Sequence, residues 1–342
     1  MAAIAFGPDR ARHQPGSRTG LVLGAGGVLG AAWMTGALAC LRDRLPCALG
    51  DVDVIVGTSA GSVLAAALRC GTSPEEMVAW QRGEVTGALR DSAALAAQDG
   101  PLPPLPHLRF GSVPLARAAL LAPHRVPPWV GASALLPRGR GRHTAVRSLV
   151  EVLQQRHHQH AHPGEPPPAW LDGDTWIAAV DYDTGQSVFF GRAGAPSASV
   201  PDAVVASCSI PGWHKPQLIG GRRYVDGGVR SLTSLSVLSG TDLDEVYVLA
   251  PMASIEIDYP IQAYLRIERP LRQVITFAVL RQARALSAQG MRVTVLTPGP
   301  KDLATMGINL MDPRRKEAVL EASFVTTADA LGRLDRVRAR VA

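Results

Sequence analysis

The sequence contains few of the residues that mark secreted, metal-binding or nucleotide-binding proteins. Only four of its 342 residues are cysteine, and these form no Cys-x-x-Cys pair and no ligand-like spacing with histidine. Their scarcity excludes a disulfide scaffold and a cysteine-based zinc site, so we expect reduced thiols. No Gly-Lys-Ser/Thr follows a glycine-rich loop, which excludes a Walker phosphate loop. With no secretory signal either, the sequence predicts a cytoplasmic protein without a metal or a cofactor.

Lysine is also scarce, since Lys215, Lys301 and Lys316 are the only lysines. The formal net charge of +6 therefore comes from arginine. Enrichment in arginine, alanine and proline is typical of GC-rich genomes, so the charge alone indicates no partner. No recognised nucleic-acid-binding module accompanies it, and we expect no nucleic-acid partner. The sequence carries no signal for an oligomeric state.

Charged residues are absent from Gly20 to Leu41. The stretch is long enough to cross a bilayer, which takes about 20 residues. It holds six glycines, four of them between Gly24 and Gly30, and these would weaken a spanning helix. A dinucleotide loop is disfavoured as well, because the G-x-G-x-x-G frame starting at Gly24 places Leu29 at its last glycine. We interpret the stretch as a strand, a glycine-rich loop and a helix.

The apolar pattern predicts an α/β fold. The runs "TGLVLG" (19–24) and "VDVIVG" (52–57) are short and rich in β-branched residues, and each is followed by a helix-like stretch. Strand, glycine turn and helix in repetition indicate a parallel sheet covered by helices. Residues 1–18 are polar and predict a flexible N-terminal tail. We assign one domain to residues 19–342.

Acidic residues are absent between residues 101 and 150, where prolines, arginines and apolar residues alternate. This composition predicts a cap inserted at about residues 95–170 of the domain. One interpretation is peripheral contact with an anionic membrane, where each basic residue contributes about 1 kcal/mol near the surface. The other is a solvated basic lid over an apolar acyl pocket. The sequence leaves both open.

A G-x-S-x-G sequence, Gly57 to Gly61, lies directly after the strand "VDVIVG" and before a helical run. A nucleophile elbow needs this strand-to-helix turn, with small neighbours that leave the serine hydroxyl exposed. Ser59 is therefore a candidate nucleophile. The alternative is a serine that only caps the following helix. The glycine-rich loop from Gly24 to Val28 can direct backbone N–H groups at a developing oxyanion.

Three motifs occur in order along the chain: the glycine-rich loop, "GTSAGS" (57–62), and "ASCSIPGWHKPQLIGGRRYVDGGV" (206–229). Together they resemble the patatin-like phospholipase family over residues 21 to 229. The later stretch "MGINLMDPRR" (306–315) is also similar to bacterial members. No histidine follows His214, although an α/β-hydrolase places its triad histidine after the acid.

The resemblance implies a three-layer α/β/α fold with a mainly parallel central sheet and a Ser-Asp dyad. Ser59 would be the nucleophile and Asp226 its base, and the oxyanion hole would be formed by the backbone amides of Gly26, Gly27 and Val28. A partly desolvated carboxylate suits this role because burial raises its pKa. Six further glycines belong to the three motifs: Gly24, Gly30, Gly57, Gly61, Gly227 and Gly228.

The family usually carries Arg or Lys where this sequence has Leu29, which removes a cation but keeps the backbone donors. The predicted activity is hydrolysis of lipid esters, like that of phospholipases and lysophospholipases, by a cytoplasmic protein at the periphery of membranes. Two alternatives stay open: a soluble carboxylesterase or thioesterase with the same dyad, and a non-catalytic protein that binds lipid or acyl groups.

The histidines between His157 and His162 lie in "RHHQHAHPGEPPP" (156–168). Such a cluster can bind a metal, but its proline-rich surroundings indicate a solvated loop. We therefore assign no metal to it.

Overall fold

The computed structural model describes residues 2–7, 16–45, 47–84, 87–88, 90–91, 107–256 and 268–341. The chain divides into two compact units. The first comprises Met1–Val56, Ser73–Glu84 and Thr233–Ala342, and the second comprises Gly57–Thr72 and Val85–Leu232.

The first unit contains strands that pair in parallel. Its strands are β1 (Ala2–Phe6), β2 (Thr19–Leu23), β3 (Val54–Thr58, whose last two residues belong to the second unit), β10 (Glu245–Leu249) and β11 (Arg292–Thr297). Their order is β1-β11-β10-β2-β3, and β10 pairs in parallel with both β2 and β11. All residues of β2, β3, β10 and β11 are buried. A strand covered on both faces reads as a continuous apolar run, which is why the sequence reveals β2 and β3.

The helices of the first unit are α1 (Gly27–Leu41), α3 (Pro74–Arg82), α8 (Arg269–Ser287), α9 (Pro300–Met306) and α10 (Lys316–Val341). The start of α3 is fixed by its sequence. Ser73 accepts a hydrogen bond from the N–H of Glu76, whose carboxylate accepts one from the N–H of Ser73. This capping box satisfies two N–H groups that the helix leaves without partners.

The predicted flexible tail over residues 1–18 is wrong for Ala2–Phe6. These residues form β1, which pairs antiparallel with β11 from Ala2 opposite Thr297 to Phe6 opposite Val293. Residues 8–15 of the predicted tail lie outside the described residues. The pairing satisfies the backbone groups along one side of β11, a need that is not visible in the local sequence.

The second unit is built on antiparallel strands: β6 (Asp174–Asp181), β7 (Ser187–Phe190), β8 (Gln217–Ile219) and β9 (Arg222–Asp226). β6 pairs with β7 and β9, and β9 pairs with β8. A separate ribbon joins β4 (His107–Phe110) to β5 (Pro137–Arg138). The helices of this unit include α2 (Ala60–Arg69), α4 (Val113–Leu121), α5 (Pro128–Ser133), α6 (Thr144–Ala161) and α7 (Val200–Cys208).

The predicted cap at about 95–170 packs into the second unit. Residues 92–106 lie outside the described part of the chain. Leu115 of α4 and Val130 of α5 are buried in one cluster with Val180, Tyr182 and Val225. The Tyr182 hydroxyl also donates a hydrogen bond to the carbonyl of Ser133 at 2.8 Å. These helices therefore contribute to the core of the unit.

The histidine-rich stretch is helical, so the predicted solvated loop is wrong up to Ala161, where α6 ends. Leu149, Val150 and Leu153 are buried along this helix. Their burial stabilises the helix although the polar composition of its last turns resembles that of a loop. The loop prediction is confirmed for residues 163–168, which lie in no helix or strand and are exposed except for Pro167.

The α/β fold is confirmed: the central sheet is mixed, and helices lie on both of its sides. Parallel pairing occurs in the first unit, as predicted, while the second unit contributes antiparallel strands. Among the helices that the structure describes, none combines the length and the apolar character that crossing a bilayer requires.

Candidate active site

Ser59 lies in a sharp turn between β3 and α2. Its backbone angles are φ 53° and ψ −122°, a conformation that costs energy for any residue with a side chain. Gly57 makes the turn possible, because a Cβ atom there would lie 2.6 Å from Cα of Ser62. The Ser59 side chain makes no capping hydrogen bond to α2. The alternative of a helix-capping serine is therefore not supported.

The backbone of Ser59 is held by a serine of the third motif. The Ser59 N–H donates a hydrogen bond to Oγ of Ser207 at 2.8 Å, and the Ser207 hydroxyl donates to the carbonyl of Ala178 at 2.6 Å. The Ser59 carbonyl accepts hydrogen bonds from the N–H and the hydroxyl of Ser62. These contacts fix the strained turn and leave the Ser59 hydroxyl available for another partner.

That partner is Asp226, at the end of β9. The Ser59 side chain lies beside the Asp226 carboxylate, where its hydroxyl favours the charged form of the acid. The carboxylate accepts a hydrogen bond from the N–H of Gly228 at 2.7 Å, and the Asp226 N–H donates to the carbonyl of Ser209 at 2.9 Å. Gly227 is needed here because a Cβ atom would lie 2.6 Å from the carbonyl oxygen of Ala178. The structure thus brings together the two residues of the predicted dyad.

Burial determines the protonation of this pair. Ser59 is 7% exposed and Asp226 is 6% exposed. Burial raises the pKa of Asp226 to about 6, and the hydrogen bonds from Ser59 and Gly228 oppose part of the rise. A carboxylate with this pKa is charged at neutral pH and is a stronger base than an exposed one. The positive end of α2, which begins at Ala60, favours negative charge on Ser59.

A buried thiol lies beside the pair. The Sγ atom of Cys208 is 3.9 Å from the hydroxyl oxygen of Ser62. Burial raises the pKa of Cys208, and the Asp226 carboxylate raises it further. Cys208 is therefore a neutral thiol that fills space next to the nucleophile. Its position beside the dyad, like that of Ser207, does not follow from the local sequence.

His214 is not positioned to act as a catalytic base. Its ring stacks on His143, with ring centres 3.8 Å apart, and Nε2 of His143 donates a hydrogen bond to the carbonyl of Cys208 at 2.9 Å. Burial lowers the pKa of His143 to about 4 and that of His214 to about 3. Within the described residues, neither ring is hydrogen-bonded to Ser59 or Asp226. Both rings are neutral at physiological pH and support the backbone beside the dyad.

The glycine-rich loop is in the first unit. The Gly24 N–H donates to the carbonyl of Leu249, which attaches the loop to β10. Gly27 has φ 61°, a conformation that favours glycine. In the part of the chain that the structure describes, the N–H groups of Gly26, Gly27 and Val28 donate no hydrogen bond. They are the first N–H groups of α1, which a helix leaves without internal partners.

The stretch from Met306 to Arg315 contacts the glycine-rich loop and the start of α1. The Leu29 N–H donates to the carbonyl of Leu310 at 2.9 Å, so Leu29 is not an available donor. A Cβ atom on Gly27 would lie 2.8 Å from Sδ of Met311. The Leu29 side chain is fully buried, which explains why an apolar residue stands at the position of the family's usual cation. The sequence showed the resemblance of this stretch but not its contact with the loop.

The histidine cluster does not form a metal site within the described residues, where no three potential ligands converge. His158 and His162 stack with ring centres 5.0 Å apart, and Nδ1 of His160 contacts the carbonyl of Arg156. Their positions follow the surface of α6 and the residue after it.

The chain is similar to one protein family and to several solved structures. A family model described as "Patatin-like phospholipase" matches residues 21–238, more than half of the chain. The chain is similar to solved structures of VipD from Legionella pneumophila (10% identity, TM-score 0.41), the type III effector protein ExoU of Pseudomonas aeruginosa (16%, 0.38) and human GIVD cytosolic phospholipase A2 (13%, 0.39). These matches cover 94%, 97% and 95% of this chain. They cover 69% of VipD but only 55% of ExoU and 58% of the phospholipase, less than two thirds of the latter two chains.

Proposed function

Because the chain belongs to the patatin-like phospholipase family, we propose that it hydrolyses carboxylic esters of lipids with Ser59 as nucleophile and Asp226 as base. One observation carries this proposal. A buried carboxylate with a raised pKa lies beside the hydroxyl of a serine that is held in a strained strand-to-helix turn. A serine hydroxyl becomes a strong nucleophile when such a base removes its proton.

The reaction follows from these groups in two steps. Asp226 takes the proton of Ser59 while Oγ attacks the ester carbon, and the N–H groups of Gly26, Gly27 and Val28 are assigned to the resulting oxyanion. The tetrahedral intermediate releases the alcohol, which leaves with the proton from Asp226. Water then gives a proton to Asp226 and attacks the acyl-serine, and the fatty acid is released as Ser59 recovers its proton.

We further propose that the 101–150 region brings the protein to anionic membranes. Leu120 and Leu121 at the end of α4 are 81% and 78% exposed, and Trp129 of α5 is also exposed. Arg117 and Arg125 are exposed on the same part of the second unit. Apolar side chains next to cations suit an interface between water and anionic lipid.

Cys40, Cys70 and Cys208 are free thiols, which supports a reducing compartment such as the cytoplasm.

The first experiment measures release of fatty acid from monoacylglycerols and lysophospholipids of matched chain length. We expect turnover by the wild type and its loss, by at least about a thousandfold, in S59A and D226N. S197A and D172N are matched controls, because Ser197 and Asp172 are exposed and lie outside the site. Turnover unchanged in S59A would refute the proposal.

The same assay separates the alternatives. Equal turnover of short soluble esters or thioesters with no gain on lipid would favour a soluble esterase or thioesterase. A folded wild-type protein that binds fatty acid but turns over no ester would favour a binding protein.

A further inference from the structure

A cavity of about 540 Å³ in the second unit is lined by Arg109, Arg138, Gly139 and Lys215. Of the described residues that line it, three are cations, and these three residues are exposed. Within the part of the chain that the structure describes, none of the three forms an ion pair with an acidic residue. The cavity therefore concentrates positive charge that no acidic group among the described residues neutralises.

The backbone holds these cations side by side. Arg109 lies on β4 and Arg138 on β5, the two strands of the ribbon. Gly139 follows β5 at a point where a Cβ atom would lie 2.4 Å from the carbonyl carbon of Trp213. Only glycine permits this close approach of two backbone segments.

Hydrogen bonds continue the attachment beyond Gly139. The N–H groups of Arg140 and Gly141 donate to the carbonyl of Trp213, and the Lys215 N–H donates to the carbonyl of Gly141. The position of Lys215 beside the ribbon is thus fixed by its backbone. The backbone of the ribbon and of the segment from Trp213 to Lys215 therefore helps to position the cavity, in addition to the conformations of the three long side chains.

The cavity shares a chain segment with the proposed base. The carbonyl of Ser209 accepts the N–H of Asp226, and the segment continues to Lys215 six residues later. In between, His214 stacks on His143, whose ring is hydrogen-bonded to the carbonyl of Cys208. The cations and the dyad therefore belong to one connected part of the second unit.

The chemistry of the lining selects the class of ligand. Two guanidinium groups and one ammonium group offer many N–H donors and no acceptor. A phosphate group matches them with several acceptor oxygens and a charge of about −1 to −2, and arginine binds it through paired hydrogen bonds. A neutral ester head group would leave the three cations without a counterion.

We propose that Arg109, Arg138 and Lys215 form a phosphate-binding pocket that selects ester substrates with an anionic phosphate head group. This inference rests on the proposed function. It also assigns phosphate recognition to cations outside the glycine-rich loop, where Leu29 stands in place of the family's usual cation. Free phosphate has the same chemistry as the head group, so the test must distinguish these two sources.

The first arm measures binding by titration calorimetry with inorganic phosphate and glycerol 3-phosphate, and it needs no catalysis. Each exposed cation contributes up to about 1 kcal/mol, or about fivefold in affinity. We expect the variant R109Q/R138Q to bind both ligands about 25-fold more weakly. The control R281Q/K301Q removes two exposed cations of the first unit and should change affinity less than about twofold. Wild-type affinity in R109Q/R138Q would overturn the proposal.

The second arm compares a hexanoyl ester of glycerol 3-phosphate with hexanoyl glycerol, both as monomers in solution so that membranes play no part. We expect R109Q/R138Q and K215Q to raise the ratio of the phosphate-ester KM to the neutral-ester KM, while R281Q/K301Q leaves it unchanged. Binding of free phosphate with an unchanged KM ratio would overturn the head-group assignment. No turnover of either ester by the wild type would contradict the proposed function instead, and the calorimetric arm would still test the pocket.

Discussion

Replacement of Asp226 by asparagine should stabilise the protein while it removes activity. Burial raises the pKa of Asp226 from 3.8 in the unfolded chain to about 6 in the folded protein. The folded state therefore holds the proton more tightly, and below the unfolded pKa the carboxyl group does not lower the free energy of unfolding. As pH rises through the folded pKa, the buried charge lowers the free energy of unfolding by up to about 3 kcal/mol, since one pKa unit corresponds to about 1.4 kcal/mol. D226N removes this destabilisation.

Urea denaturation of wild type and D226N measures this difference. At about pH 8 we expect a free energy of unfolding about 1–3 kcal/mol higher for D226N, the lower figure allowing for burial of the new amide. The difference should shrink to about 0.5 kcal/mol near pH 4 and vanish below about pH 3, where the wild-type carboxyl is protonated in both the folded and the unfolded state. D172N, with an exposed carboxyl, should show no such dependence. A D226N variant that is less stable than wild type at the higher pH would refute the reasoning.

The same pKa predicts the pH dependence of catalysis. The base must be ionised, so kcat/KM of the wild type should rise about tenfold per pH unit below 6 and level off above it. Neutral imidazoles at His143 and His214 add no inflection near pH 7. A profile without an inflection near the pKa of Asp226, or one retained in D226N, would mean that another group is the base.

Three further predictions follow from the same contacts. Ser59→Gly should be about 1 kcal/mol more stable than Ser59→Ala in chemical denaturation, because glycine adopts φ 53° without strain; equal stabilities would show that the turn is not strained. Leu29→Ala should lower the free energy of unfolding by about 2–5 kcal/mol through the cavity that it leaves, and a loss below about 1 kcal/mol would contradict its full burial. L120E/L121E should weaken sedimentation with anionic vesicles while leaving hydrolysis of soluble esters unchanged; undiminished vesicle binding would remove the membrane proposal.

The sheet strands were predictable where burial on both faces leaves a continuous apolar run. β2 and β3 lie where "TGLVLG" and "VDVIVG" predict them. The turn at Ser59 was predictable for a related reason, since small residues between a strand and a helix are required by the local geometry. The sequence pattern predicts these segments correctly because their conformations depend mainly on residues nearby in the chain.

Elements that depend on distant partners were not predictable. β1 is a five-residue segment whose partner, β11, lies near the other end of the chain. Arg147 is in the stretch without acidic residues, yet it pairs with Asp202 at 2.6 Å. Ser207 is visible in a motif, but its hydrogen bond to the N–H of Ser59 follows only from the fold. In each case the residue is visible in the sequence, but its partner is known only from the tertiary structure.

Labelling with a fluorophosphonate shows whether Ser59 is an activated nucleophile, because this reagent forms a stable bond only with an activated serine. The wild type, S59A, D226N and the control S197A are treated in parallel, and the adduct is located by peptide mass spectrometry. We expect an adduct on Ser59 in the wild type and in S197A, none in S59A, and greatly slowed labelling in D226N. Labelling of a different serine, or equal labelling rates in the wild type and D226N, would contradict the proposed dyad.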